Sequence, residues 1–469
     1  MFGKLAGLSR QPALWAVSLT AVATMLVPGI STAAPAKFLR VTTLSVGPFP
    51  DFGMQRSADG RLHLIFQTTA PGSSAPNGLA TRSISAAGTL GPQTQALSGW
   101  STARPGLLAL PNGTLEAVFG ATSPPPNQVS GLWAITSGDG GGSWSAPGNV
   151  GSGSLESLAY GSDITAQLAG VTPVLTVPQA GGVVIQQGLG VGSPTQLVTD
   201  ASDNFAGDVN SAVDAATGEV VASWQSLAGS GGDFIRGVAP TLGAAVRAPG
   251  PARTELVLAG RDSGPGVFAA YTTDGSHVRL LRYGGGSVAV GRVKGLSANV
   301  LGVATGRDGR IWVMWGQDGL GLAVTRSNRA VTRFEPIQRL NPHPFTLYRL
   351  SGDGRLGPLD LLVDQIPTGK GSVPPAGTFY GRVLPELSVQ LGSKAVKNKS
   401  GHVIAHKLTA KVLDAGDAVS GATLAAKGKK AATNAKGIAT LTLSGAGGGP
   451  VAVIVAHVGY RQLKTKLTL

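Results

Sequence analysis

Short apolar runs, each ending in an aromatic residue and each introduced by a glycine turn, recur along the chain. Residues 62–66 (LHLIF) follow Asp59-Gly60, and residues 115–119 (LEAVF) follow Asn112-Gly113. The phrase returns at 220–224 (VVASW) after Gly218, at 267–271 (VFAAY) after Gly264 and at 311–315 (IWVMW) after Asp308-Gly309. Two looser copies are 174–177 (VLTV) after Gly170 and 359–363 (LDLLV) after Asp353-Gly354. The turn glycines lie 53, 57, 48, 46, 45 and 45 residues apart. Asp-Gly and Asn-Gly between apolar runs are hairpin signals, so each copy predicts the first two strands of one repeated β unit.

Third strands align as well, at 79–83, 133–137 and 322–327, each at a similar interval after its turn. A repeat of this length fits four strands, which is one blade of a β-propeller. Seven copies favour seven blades, with six as the alternative if the third or fifth copy is an insertion. The strand at 38–44 has no blade of its own and is expected to complete the last one beside 378–383, which would remove the open edges of the ring.

The run after the third strand of the second unit is Ser137-Gly138-Asp139-Gly140-Gly141-Gly142-Ser143-Trp144. The pattern S-x-D-x-G-x-[ST]-W resembles the Asp-box of sialidase-like propellers, where it joins the third and fourth strands of a blade. The resemblance implies structural roles for Ser137, Asp139, Gly141, Ser143 and Trp144. Asp139 would accept backbone N–H bonds, Gly141 would take a positive φ, and Trp144 would bury its ring under the next blade. The first and sixth units keep the third strand and lose the aspartate. Arg104-Pro105, ahead of Gly113-Thr114-Leu115, resembles the family's "R-I-P…G-T-L" segment without the residue between Arg and Pro. A one-residue shift reverses the face of a strand, so Arg104 is expected to turn away from the channel if Pro105 is the fixed point.

Composition agrees with an all-β chain: glycine is 70 and proline 30 of 469 residues, and only 13% are charged. Residues 1–36 read as a secretory signal, with Lys4 and Arg10 before an apolar run and small residues near a cleavage site. No later stretch is long and apolar enough to span a bilayer, so the mature chain is expected to be secreted or held at a cell surface, as a monomer. There is no cysteine, which excludes disulfides and cysteine-based metal sites or nucleophiles.

The division expected is signal 1–36, propeller 37–384 and a last module over 385–469. That module holds eleven lysines and one arginine against three acids, out of a net charge of +14 for the chain. Its strands alternate, as at 438–443, and the "T-N-x-x-G" turn at 433–437 and the Gly459-Tyr460 pair resemble bacterial immunoglobulin-like or carboxypeptidase-regulatory domains. Lys394 to Lys399 are expected in a loop. One aromatic residue, Tyr460, is too few for base stacking, so nucleic acid is not the partner expected; an anionic envelope polymer or solubility is.

Counting back along each first strand puts Asp51, Arg104 and Glu255, with Asp208 and Asn299 nearby, at the channel mouth as candidate ligand-binding residues. Sialidase chemistry uses three arginines on a carboxylate, a tyrosine activated by a glutamate, and an aspartate as acid/base. Its candidate positions here are Asp51, Arg104 and Glu255 with Tyr271 or Tyr283, and Arg253, Arg261 and Arg282 as further clamps. None has a motif around it. The six histidines form no ligand set, and no metal or other cofactor is expected beyond a structural Ca²⁺ for which Asp51, Asp203 and Asp208 are available. Three readings therefore stand: a surface or secreted propeller recognising a glycan or other extracellular ligand, an exo-sialidase-type hydrolase, and a purely structural surface protein.

Overall fold

The computed structural model describes residues 38–42, 52–69, 76–152, 164–179, 182–199, 205–226, 232–250, 256–317, 320–340, 346–366, 377–445 and 448–469. The expected signal lies outside them. Among the described residues there are nine β-sheets and no α-helix, and no helix long and apolar enough to cross a membrane.

Seven sheets come first, six of them built from successive strands of the chain. Their second strands are Leu62–Thr69, Leu115–Thr122, Thr172–Gln179, Val220–Ser226, Val267–Thr272, Ile311–Gln317 and Leu359–Ile366. These are the glycine-introduced apolar runs. They are buried almost without a break, because both faces of each sheet pack against a neighbour, and so they lack the alternation of a half-exposed strand.

Instead of one core there are seven apolar clusters, one between each pair of neighbouring sheets. The cluster between the seventh and first sheets joins Phe52, Leu64 and Phe66 to Leu362 and Tyr380, so the sheets form a closed, propeller-like ring. Full burial of each large apolar side chain contributes about 1.5–3 kcal/mol. A buried ion pair set closes the same seam: Arg56 Nε lies 2.6 Å from Asp353 Oδ1 and Arg56 Nη2 lies 2.7 Å from Asp360 Oδ2. The seventh sheet takes its outermost strand, Leu39–Arg40, from the other end of the chain. Leu39 faces Tyr380, Arg40 faces Phe379, and the Val41 amide donates to the Thr378 carbonyl at 2.8 Å.

First strands crowd together at the ring axis. A Cβ at Gly260 would collide with the Val213 carbonyl oxygen, and one at Gly302 with that of Leu350, so both inner strands need glycine there.

The turn at Ser137 closes on itself. Asp139 Oδ1 accepts the Gly142 and Ser143 amides at 3.0 Å, Asp139 Oδ2 accepts the Ser143 hydroxyl at 2.7 Å, and Ser137 Oγ donates to Asp139 at 2.8 Å while accepting the Gly141 amide. Gly141 has φ +93°. These bonds hold the Asp139 carboxyl well below its ordinary pKa. Trp144, however, does not reach under the following sheet. It is half-buried on the cluster between the first and second sheets, because the turn folds back over the side already occupied by Leu115 and Ile135. In the sixth sheet Asn328 does similar work, its Oδ1 accepting the Thr332 and Arg333 amides at 2.8 and 3.2 Å.

The last two sheets pack on their own core, which includes Leu391, Leu408, Val412, Leu441, Val453 and Val455. One joins Ser388–Lys397, Val403–Asp414 and Ile438–Ser444; the other joins Lys429–Ala432, Thr423–Ala426, Pro450–Ala456 and Leu463–Thr468. Lys394 and Lys397 are not in a loop: they extend the first of these strands, and the turn begins at Asn398. Pairing with the long neighbouring strand, where Lys394 faces Lys407, carries the strand past the point where its apolar alternation ends.

This unit sits against the sixth sheet through a buried charge cluster. Asp414 Oδ2 receives Arg326 at 2.9 Å, Arg310 at 3.1 Å and the Tyr460 hydroxyl at 2.6 Å. Arg326 also pairs with Glu335 at 2.8 Å, and its guanidinium lies 5.4 Å from the ring centres of both Trp312 and Tyr460. Asp417 takes Arg310 at 2.8 Å and the Arg329 amide at 3.0 Å, and Arg461 pairs with Glu386. Burial pushes the Glu335 carboxyl well above its ordinary value. Burial is the largest influence on Asp414 and works to raise it too, but Arg326, Glu335, Arg310 and Tyr460 together outweigh it and leave that carboxyl low.

Candidate functional site

The first strands of all seven sheets enclose a channel of about 440 Å³. Where the first strands run into their glycine turns, the charged side chains hold neighbouring turns together. Arg261 donates to the carbonyls of Gly309, Pro265 and Arg329. Asp262 accepts the Asp308 and Gly309 amides, and Asp353 holds Arg56 and Arg355. Midway, polar side chains replace the ladder that neighbouring inner strands lack. Thr165 bonds the Ser211 hydroxyl at 2.8 Å, Gln167 the Ser211 carbonyl at 2.9 Å, and Thr305 the Gly260 carbonyl at 2.8 Å.

At the opposite end, where the first strands begin, three of the seven are irregular. In the second sheet the inner strand breaks into Ser101–Thr102 and Gly106–Ala109. Thr102 faces Ala121 and Gly106 faces Val118, so one extra residue is inserted at Ala103-Arg104-Pro105. In the fourth sheet the register slips between Gly207 and Asn210, and in the seventh between Leu347 and Arg349. A bulge of this kind inserts a residue and re-aims the side chains beside it. Arg104, Asn210 and Arg349, the residues at or just after the three bulges, all line the channel.

Arg104 therefore does not turn away from the channel. The expectation that it would assumed an unbroken alternation, and the inserted residue breaks it. Arg349 lies over Phe52, with its Cζ 5.3 Å from the ring centre. Pro105 lies against the next residue of that strand, where a Cβ on Gly53 would collide with the Pro105 carbonyl oxygen. Two guanidinium-bearing segments thus flank Phe52-Gly53 at one level of the channel. Asn210 Oδ1 accepts the Leu258 amide at 3.1 Å, which fixes the orientation of its side chain.

The remaining sequence candidates scatter. Asp51, Asp203, Arg253 and Glu255 lie outside the described residues, and of Asp208 only the backbone, within the fourth-sheet bulge, is described. Asn299 is exposed and does not line the channel. Tyr271 is buried in the cluster between the fourth and fifth sheets, its hydroxyl accepting Arg279 Nε at 3.1 Å. Tyr283 is held at the outer side of the ring, where the Gly237 amide donates to its hydroxyl at 2.8 Å. Neither tyrosine lines the channel, because Tyr271 lies in the second strand of its sheet and Tyr283 just after the third, one and two strands out from the axis. Arg282, at the end of a third strand, is excluded for the same reason. Phe52 and Arg349 were missed; an arginine inside the otherwise apolar run Leu347-Tyr348-Arg349-Leu350 was the available signal. Among the described residues no group of three or more His, Asp or Glu is placed to hold a metal.

No protein-family model matches this chain. No curated protein matches it either. Solved structures resemble it in part. A protein of unknown function from Dyadobacter fermentans superposes with a TM-score of 0.45 at 12% identity, over 76% of this chain and 100% of that one. The NanB sialidase of Streptococcus pneumoniae gives 0.45 at 9% identity, over 61% of this chain and 68% of that one. The Aleuria aurantia lectin, in complex with Fucalpha1-6GlcNAc, gives 0.35 at 12% identity, over 73% and 98%.

Proposed function

We propose that the seven sheets are the blades of an exported, sialidase-like propeller whose channel entrance recognises an acidic glycan or a similar anionic extracellular ligand. Residues 37–384 would be that propeller, with the Ser137 to Trp144 turn as its Asp-box. Residues 385–469 would be an immunoglobulin-like module. The observation that carries the binding reading is the set of three bulges at one end of the channel, which bring Arg104, Asn210 and Arg349 to its wall. Bulges concentrate beside binding sites, where they re-aim a side chain. A guanidinium presents a planar fork that matches a carboxylate, and an aromatic face such as Phe52 suits the apolar side of a sugar ring.

Recognition is favoured over hydrolysis because Tyr271 and Tyr283 are both held away from the channel. The test is a glycan-binding screen with the secreted chain, pairing each acidic glycan with its neutral counterpart, followed by titration of Arg104→Gln and Arg349→Gln. Binding of an acidic glycan, weakened roughly tenfold or more by each variant, is expected from loss of a charge-assisted hydrogen bond. Preference for neutral glycans, or variants that bind as well as the parent, would overturn the reading. Release of fluorophore from 4-methylumbelliferyl-N-acetylneuraminate would establish the hydrolase instead.

A further inference from the structure

The carboxylates and the lysines of residues 385–469 are segregated. The three acids, Glu386, Asp414 and Asp417, all lie in the contact with the sixth sheet or beside it, and all are paired with arginine. The eleven lysines are all exposed, and among the described residues none lies within ion-pair distance of a carboxylate. Every side-chain carboxylate of this unit is thus tied to an arginine, Asp414 and Asp417 across the docking contact and Glu386 within the unit, while the lysines stand free on its surface.

The lysines occupy both outer faces of the sandwich. On one, Lys394 stands directly opposite Lys407, with Lys411 four residues along the same strand. On the other, Lys464 and Lys466 share a face of the last strand, and Lys430 lies three strands away in the same row, with Ala425 and Ile454 between. Like charges facing each other across a ladder destabilise a sheet, so the Lys394–Lys407 pair costs stability that an anion between them would return.

We propose that this surface is an anchor for a flexible acidic polysaccharide, held by charge and wrapped across both faces. Three observations select that partner. Lysine supplies charge without the planar fork that arginine offers to individual phosphates. The one aromatic residue of the unit, Tyr460, is committed to Arg326 and Asp414, so neither base stacking nor an interfacial aromatic anchor is available. Finally, a flat bilayer or a stiff duplex meets one face of a sandwich at a time, whereas a flexible chain reaches lysines on both.

The probe is polygalacturonate, titrated against the full secreted chain at several salt concentrations, with duplex DNA and phosphatidylserine vesicles run in parallel. Two double variants are compared: Lys394→Glu with Lys407→Glu on one face, and Lys464→Glu with Lys466→Glu on the other. Because these side chains are exposed, unchanged thermal melting serves as the folding control. The expected result is salt-sensitive binding of polygalacturonate that each double variant weakens roughly tenfold or more. Binding untouched by both variants, weakened by only one face, or seen with DNA or vesicles but not with polygalacturonate overturns the proposal.

Discussion

Replacing Arg326 with methionine should separate the charge of the docking cluster from its packing. Methionine keeps most of the aliphatic stem between Trp312 and Tyr460 and removes the guanidinium. In the parent that group lies 2.8 Å from Glu335 and 2.9 Å from Asp414, with side-chain exposures of 3% for the arginine, 0% for Glu335 and 2% for Asp414. Asp414 keeps Arg310 and the Tyr460 hydroxyl; Glu335 keeps the Glu386 amide and its hydrogen bond with Asp414, but no cation. An uncompensated buried carboxylate is the costly product, and breaking a buried pair from one side costs about 3–5 kcal/mol. Against a typical domain stability of about 5–15 kcal/mol this is a large fraction.

Urea denaturation followed by tryptophan fluorescence and far-ultraviolet dichroism measures it. Adding Glu335→Met to Arg326→Met removes the stranded charge, so the double variant should be more stable than the single one. A single variant costing less than about 1 kcal/mol, the range of an exposed pair, or a double variant less stable than the single, would refute the argument.

Three further outcomes are expected. Asp139→Ala should lower the melting temperature at neutral pH and flatten its acid dependence. The Asp139 carboxyl is held low in the folded chain, so its contribution is present above the unfolded value of about 4 and lost as pH falls below it; melting curves between pH 2 and 7 test this. Gly260→Ala, which drives a Cβ into the Val213 carbonyl, should cost about 1–3 kcal/mol, while Gly392→Ala, with nothing within 4 Å, should stay within about 0.5 kcal/mol in the same urea assay. Lys394→Glu alone, converting the facing lysines into an opposite-charge pair, should stabilise the chain by about 0.2–1 kcal/mol.

The repeated sheets were legible because each repeat carries its own local signal, a glycine turn and an apolar run buried on both faces, joined in three of them by a recognisable third strand. The partner of the strand at 38–44 was legible by elimination, since one unpaired strand and one incomplete sheet remained. The channel entrance was legible only in part. Arg104 was found by counting along the strand, and the expectation that it turns away held only if Pro105 was the fixed point. Arg349 was missed. Both trace to one cause, because a bulge belongs to the pairing of two strands and leaves no mark in either strand alone. Tyr271 and Tyr283 were candidates by residue type, and their distance from the axis depends on which strand of a sheet they follow. The docking cluster lay beyond reach for another reason: Arg326 and Asp414 are 88 residues apart, and Arg310 and Asp417 are 107 apart, with no local pattern joining them.

Closure of the ring by Leu39–Arg40 against Tyr380 and Phe379 also sets an order of events. The pairing spans some 340 residues of chain, and its loop-closure entropy is met only after the intervening sheets have formed. Synthesis from the N-terminus delivers residue 39 long before residue 380. Until the later strand arrives, the Leu39–Arg40 segment has no partner, and the first sheet lacks the neighbour that covers Phe52 and Phe66. Completion of the ring is thereby postponed until residues 377–383 are available. The same seam that closes the finished ring leaves the unfinished one open.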